Sequence, residues 1–175
     1  MVGRIILYIA ASVDGFIADE DGGVEWLEEF DDGASDGYEA FFADVDCLVV
    51  GSNTYEQIRS FGEWPYEDRP AYVLTRRDLP RATDAVEFYD GNVTDLSAEL
   101  DQQYDRIWLV GGARLARSFL RANQIDDLRL SIVPILLGDG ISLFDGSGDR
   151  RRLHHLETET RESGIVELRY EVSPH

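Results

Sequence analysis

Three stretches of the 175-residue sequence place glycine, hydroxyl or guanidinium groups directly after an apolar run, a pattern suited to holding a phosphorylated ligand. In open α/β sheets, ligands bind outside the carboxyl ends of the strands. The first stretch is Leu48-Val49-Val50-Gly51-Ser52-Asn53-Thr54-Tyr55-Glu56. Gly51 permits close backbone approach, and Ser52 or Asn53 can cap a following helix whose free N–H groups would face a pyrophosphate. An ordinary capped helix is the plainer reading of the same residues. In the second, Ala71-Tyr72-Val73-Leu74-Thr75-Arg76-Arg77, a strand ends in a hydroxyl and two guanidiniums. Bidentate contacts to a 2′-phosphate would there separate NADP from NAD, and pairing with surface carboxylates is the alternative. The third is Ile107-Trp108-Leu109-Val110-Gly111-Gly112-Ala113-Arg114-Leu115. Its glycines admit a ligand to the backbone at a helix amino terminus, although tight strand–helix turns also use glycine for steric reasons alone. It lacks the G-x-G-x-x-G spacing of a Rossmann fingerprint. Each stretch is a weak signal, and the three together suggest a nucleotide site.

A sheet with flanking helices must position these stretches. Short β-rich runs alternate with helical patterns, the signature of an α/β domain. The sequence predicts strands at about 4–11, 45–50, 70–75, 85–89, 106–110, 127–135, 152–162 and 164–173, and helices at about 36–43, 53–60, 95–104 and 112–122. Leu115, Phe119 and Leu120 form an apolar stripe on the last helix, with Asn123 as its C-terminal cap. Ser163-Gly164 reads as the turn of a hairpin. The expected architecture is a single domain over residues 1–175, with a mostly parallel sheet finished by an antiparallel hairpin.

Composition narrows the function classes. Apolar residues make up 43%, as in a folded globular chain, and no apolar run approaches the length of a membrane span. Met1 to Arg4 lead straight into a strand without the pattern of a signal peptide, so a cytoplasmic location is expected. Cys47, the only cysteine, lies in an apolar run and reads as core. His154, His155 and His175 form no ligand set, so no metal is expected. All 16 basic residues are arginine, against 35 acidic residues, for a net charge of −19. A GC-rich genome would explain missing lysine but not this charge, which implies adaptation to molar salt. Such a chain repels phosphate backbones, so no nucleic-acid partner is expected, and Arg150-Arg151-Arg152 reads as a salt-bridged surface or dimer contact.

The ordered motifs resemble a known superfamily. Tyr8-Ile9-Ala10-Ala11-Ser12-Val13-Asp14-Gly15-Phe16-Ile17-Ala18 resembles the opening of the dihydrofolate reductase and riboflavin-reductase superfamily. Gly51 to Glu56 is similar to its Gly-Arg-x-Thr-Tyr/Trp-Glu element, and Val110-Gly111-Gly112 to its late Gly-Gly turn. Pro134 to Gly140, with Leu143-Phe144, resembles the branch that contains the riboflavin-biosynthesis reductase domain. Val24-Glu25-Trp26-Leu27 and Phe61-Gly62-Glu63-Trp64-Pro65 are similar to a stand-alone branch of reductase-like proteins. The resemblance covers nearly the whole chain and implies a three-layer dihydrofolate-reductase-like fold that binds NADPH. It implies that Gly51, Ser52, Asn53 and Thr54 hold the pyrophosphate, with Gly111, Gly112, Ala113, Arg114 and Leu115 completing that site through an unusual Gly111–Gly112 peptide. Thr75 and Arg76 would lie at the 2′-phosphate, and Ala11 and Ile17 beside the nicotinamide. Ser52 stands where the superfamily carries arginine, which shifts phosphate affinity toward Arg76, Arg77 or Arg114.

Hydride transfer needs orientation and one proton source. Asp14, Asp31, Asp32 and Asp36 are candidate acids, and the resemblance places Asp36 at the substrate-side carboxylate. Asp14-Gly15 can equally form the turn after the first strand. Trp26 and Trp64 could wall a flat heterocycle or belong to the core. The implied activity is reduction of a pterin- or pyrimidine-like small molecule. A riboflavin-pathway aminouracil reductase and a non-catalytic NADP-binding protein are the alternatives. The resemblance and the long C-terminal hairpin also imply a homodimer.

Overall fold

The computed structural model describes residues 3–31, 36–145, 148 and 150–173. One eight-stranded sheet organises them, in the order β5-β4-β3-β6-β1-β7-β10-β9. The strands are β1 (Arg4–Ser12), β3 (Cys47–Gly51), β4 (Ala71–Leu74), β5 (Val86–Tyr89), β6 (Arg106–Gly111), β7 (Asp127–Val133), β9 (Leu153–Thr160) and β10 (Val166–Val172). The first six run parallel, and β10 is antiparallel to both β7 and β9. The helices are α1 (Asp36–Ala43), α2 (Ser52–Ser60), α3 (Val93–Asp101) and α4 (Ala113–Arg121). This is the α/β architecture expected from the sequence, mostly parallel with an antiparallel C-terminal pair.

Alternation along β1 shows why the sheet needs two helical layers. Ile5 and Leu7 pack into one core with Leu96 and Leu100 of α3 and Phe119 of α4. Ile6 and the partly buried Tyr8 join the other core, with Phe41 of α1 and Tyr55 of α2. Both faces of β3 are covered, so Cys47 to Val50 read as a continuous apolar run and are fully buried. Burial also pushes the Cys47 thiol well above its ordinary value, consistent with an inert core position. At the far edge, every residue of β9 is exposed.

Local signals set the ends of elements. Asn123 takes a φ of 63° after α4; its N–H donates to Leu120 O at 3.0 Å and that of Gln124 to Phe119 O at 2.9 Å, a Schellman closure. Arg151 donates to Leu120 O and Asn123 Oδ1, so one member of the arginine run neutralises this helix end. The hairpin turns at Gly164, whose φ is +93°.

Three elements were not expected. β2 (Phe16–Ala18) pairs with β8 (Ile141–Ser142), and a 3₁₀ helix covers Glu25–Phe30. Strands of two or three residues are too short to show a period, and this pair exists only because the fold joins distant segments. α3 begins two residues before its expected start, because the Asn92 side chain accepts the Asp95 N–H at 2.8 Å and caps it. Among the described residues no helix is long and apolar enough to cross a membrane, and no group of His, Cys, Asp or Glu could hold a metal ion.

Candidate functional site

β3 and β6 are neighbours, and a register shift between Val49 and Val50 sets Val50 opposite Gly111. A Cβ on Gly51 would meet Gly111 O at 3.4 Å and Gly112 N at 3.5 Å; one on Gly112 would lie 3.0 Å from Thr54 Oγ1. The tight approach is therefore at Gly112, whereas position 51 has ordinary contact room for a Cβ. Gly111 has a φ of +123°, which a side chain would strain, and the Gly111–Gly112 peptide is cis.

The capping differs from the sequence expectation. Ser52 and Asn53 do not cap α2; Gly51 is its N-cap and Gly112 that of α4, and neither helix has a side-chain capping hydrogen bond. A glycine cap supplies no acceptor, so the first-turn amides keep their donors for something else.

Both helix starts open on a cavity of about 1260 Å³ at the carboxyl ends of the parallel strands. Its walls include Gly51 to Thr54, Gly112 to Leu115, Ile17, Thr75 and Arg76. Eleven sequence-selected positions from four separated segments thus meet around one space. Ala11 and Gly111 are buried, and neither is part of the wall. The adjacent arginines diverge: Arg76 lines the cavity with no ion pair among the described residues, whereas Arg77 pairs with Glu56 at 2.9 Å. The Thr75 hydroxyl accepts the Arg77 N–H at 3.0 Å and fixes that turn.

Asp14 has a different job from the proton donor envisaged above. Its carboxylate accepts from Ser12 Oγ at 2.6 Å, Gly138 N at 2.9 Å and Leu137 N at 3.2 Å. The Ser12 hydroxyl foremost, with these amides, holds it below the ordinary carboxylate range. It stays ionised near neutral pH and anchors the 137–138 loop. The Asp36 side chain and Asp32 lie outside the described residues, and Asp31 is exposed at the end of the 3₁₀ helix.

Neither tryptophan lines the cavity. Trp26, on the 3₁₀ helix, is buried, and the partly buried Trp64 packs edge-on against Tyr55 and Tyr66, with ring centroids 5.3 and 5.0 Å apart. Both are core aromatics, the second of the two readings left open by the sequence.

Sequence reasoning missed two groups. Tyr89 to Val93 line the cavity at the end of β5; Asp90-Gly91-Asn92 before a helix was the available signal. The second group lies beneath α1, where Glu167 is almost fully buried. Glu167 accepts from Arg129 Nε at 2.6 Å and Arg161 Nη2 at 3.0 Å, and the Tyr8 hydroxyl bonds it too. Arg129 stacks over the rings of Tyr8 and Phe41 and donates to Gly37 O at 3.3 Å. Burial pushes the Glu167 carboxyl up, but the bonds from Arg129, Tyr8 and Arg161 outweigh it and the net shift is downward. The same burial raises the Tyr8 phenol. The four side chains come from three strands and a hairpin turn, so no local pattern announces them.

Residues 4–167 match the family described as the RibD C-terminal domain. The chain is a member of that family. This family member is 35% identical over 163 residues to the uncharacterized protein YwjB of Bacillus subtilis, covering 92% of this chain and 88% of that one. It is similar to a crystal structure of a putative riboflavin biosynthesis protein from Shewanella sp. PV-4, with a TM-score of 0.89, 29% identity and 99% of each chain covered. The dihydrofolate reductase of Enterococcus faecalis, solved with NADP(H), shares the fold alone, with a TM-score of 0.68 at 17% identity over 99% of this chain and 98% of that one.

Proposed function

We propose that the chain is an NADPH-dependent reductase of a small pterin- or pyrimidine-like heterocycle. The observation that carries this reading is the convergence of two helix amino termini without side-chain caps on one large cavity, which is also lined by Arg76, an arginine with no ion pair among the described residues. A dinucleotide fits this donor set. The amides at the starts of α2 and α4, with the Thr54 hydroxyl, would hold a pyrophosphate, and Arg76 beside Thr75 a 2′-phosphate. Ile17 offers an apolar wall for the nicotinamide. When bound, that ring supplies the hydride. The protein's part is to orient the acceptor, exclude water and supply a proton. Asp36, at the start of α1, is the carboxylate proposed for that proton; Asp14 is engaged elsewhere.

Family membership favours one narrower reading, a riboflavin-pathway reductase acting on a phosphoribosylaminouracil. Fluorescence titration with NADPH and NADH in molar KCl tests the cofactor, and a screen of pterins and aminopyrimidines then tests the substrate. Saturable binding that prefers NADPH, with the preference cut at least about tenfold in Arg76→Ala, is expected. Failure to bind either cofactor overturns the reading.

Two further properties are proposed from charge and edge exposure. The charge of −19 fits a protein folded only in high salt, expected to lose its circular dichroism on dialysis. The fully exposed edge β9 fits a homodimer, and light scattering that gives a monomer in molar KCl would rule the dimer out.

A further inference from the structure

We propose that the amino-terminal end of the sheet carries a second ligand site, for a phosphate-type oxyanion, built from Arg4, Arg106, Arg129 and Arg169. A separate cavity of about 240 Å³ opens there, lined by these four arginines together with Asp127 and Phe41. It shares no lining residue with the larger cavity, which lies at the other end of β1 and β6. Four of the chain's 16 basic residues meet in this small space although 35 acidic residues are available to disperse them.

Strand register sharpens the point. Arg4 and Arg106 are register partners on β1 and β6, and Arg129 and Arg169 on β7 and β10. Like charges opposite one another on neighbouring strands destabilise a sheet. Carboxylates answer three of the four. Arg4 donates to both oxygens of Asp127 at 2.8 Å, Arg129 pairs with Glu167 at 2.6 Å, and Arg169 pairs with Glu157 at 2.8 Å. Arg106 has no ion pair among the described residues, and its Nε is shielded from solvent without a hydrogen-bond partner. The nearby Asp46 does not serve it: Oδ2 accepts the backbone N–H groups of Asp105 and Arg106 at 3.1 and 2.9 Å.

A shielded guanidinium N–H without an acceptor is costly, and a tetrahedral oxyanion offers lone pairs to several guanidinium forks at once. It would also separate the two like-charged register pairs. The cavity has room for more than bare phosphate, since 240 Å³ is about eight times the ~30 Å³ share of one liquid water. Phe41 gives the remainder of a small phosphate monoester an apolar surface.

The test is isothermal titration of the full chain with inorganic phosphate and, separately, with ribose 5-phosphate, at an ionic strength held constant with KCl. Saturable binding of at least one is expected, weakened about tenfold or more in Arg106→Gln and retained in Arg76→Ala. Tighter binding of the ester would assign the site to phosphate monoesters, and equal binding to free phosphate. Circular dichroism checks that Arg106→Gln folds; if it does not, Arg169→Gln takes its place, with the same weakening expected. No saturable binding of either probe overturns the proposal. So does binding that survives the arginine substitution, or that is lost in Arg76→Ala instead. Light scattering in which Arg106→Gln dissociates an oligomer, with no phosphate binding, also overturns it, because the arginines would then face carboxylates of a second copy.

Discussion

The cluster beneath α1 and the large cavity treat polar groups in opposite ways. Around Glu167 the donors and acceptors answer each other: two guanidiniums, a phenol and a carboxylate close a network with little exposure. At the cavity, two helix starts keep their amides free of side-chain caps and Arg76 has no ion pair among the described residues. A satisfied buried network stabilises and fixes the fold, whereas donors left open at a concave surface have affinity to spend on a ligand. α3 shows that the chain can close a helix start with a side chain: Asn92, itself among the residues lining the same cavity, caps it.

The largest expected effect comes from opening the satisfied side. Glu167→Ala leaves Arg129 and Arg161 without their shared partner and should cost about 3 kcal/mol of stability, read by chemical denaturation, with cofactor affinity little changed. Acid probes the same network. Because the folded-state value of Glu167 lies below its ordinary 4.5, its contribution is present above that pH and lost as pH falls through the lowered value. Glu167→Gln should therefore flatten the loss of stability measured below about pH 4.5.

Closing the open side should act the other way. Gly51→Asp would give α2 the acceptor that α3 already has and set a negative charge at the proposed pyrophosphate site. Cofactor affinity should fall at least about tenfold, or 1.4 kcal/mol, in the same fluorescence titration. An unchanged affinity would mean that the α2 amides do not contact the cofactor.

The smallest effect tests the internal control. Asn92→Ala should remove about 1 kcal/mol by leaving the Asp95 amide without its acceptor, and a thermal melt should show it. Its effect on cofactor affinity should be slight. If it weakened binding as much as Gly51→Asp, the contrast between capped and uncapped helices would fail.

How far the site was legible follows from distance along the chain. Gly51 to Thr54, Thr75, Arg76 and Gly112 to Leu115 were readable because each sits where an apolar strand run stops, a signal carried by neighbouring residues. Whether Arg76 or Arg77 turns inward was not readable, because Glu56, on α2, takes Arg77. The tryptophans misled for a related reason: aromatic type announces contact with something flat, and Tyr55 and Tyr66 supply that contact for Trp64.

By itself the sequence determined the alternation of strands and helices, the closing hairpin and the surplus of carboxylates, since period, turn chemistry and composition are local or additive properties. Only the tertiary structure decided that Gly51 and Gly112 are the caps, that Asp14 anchors a loop, and that Tyr8, Arg129, Arg161 and Glu167 meet. Those outcomes depend on strand order and register. Register joins residues more than a hundred positions apart, such as Tyr8 and Arg129, whose proximity no window along the chain contains.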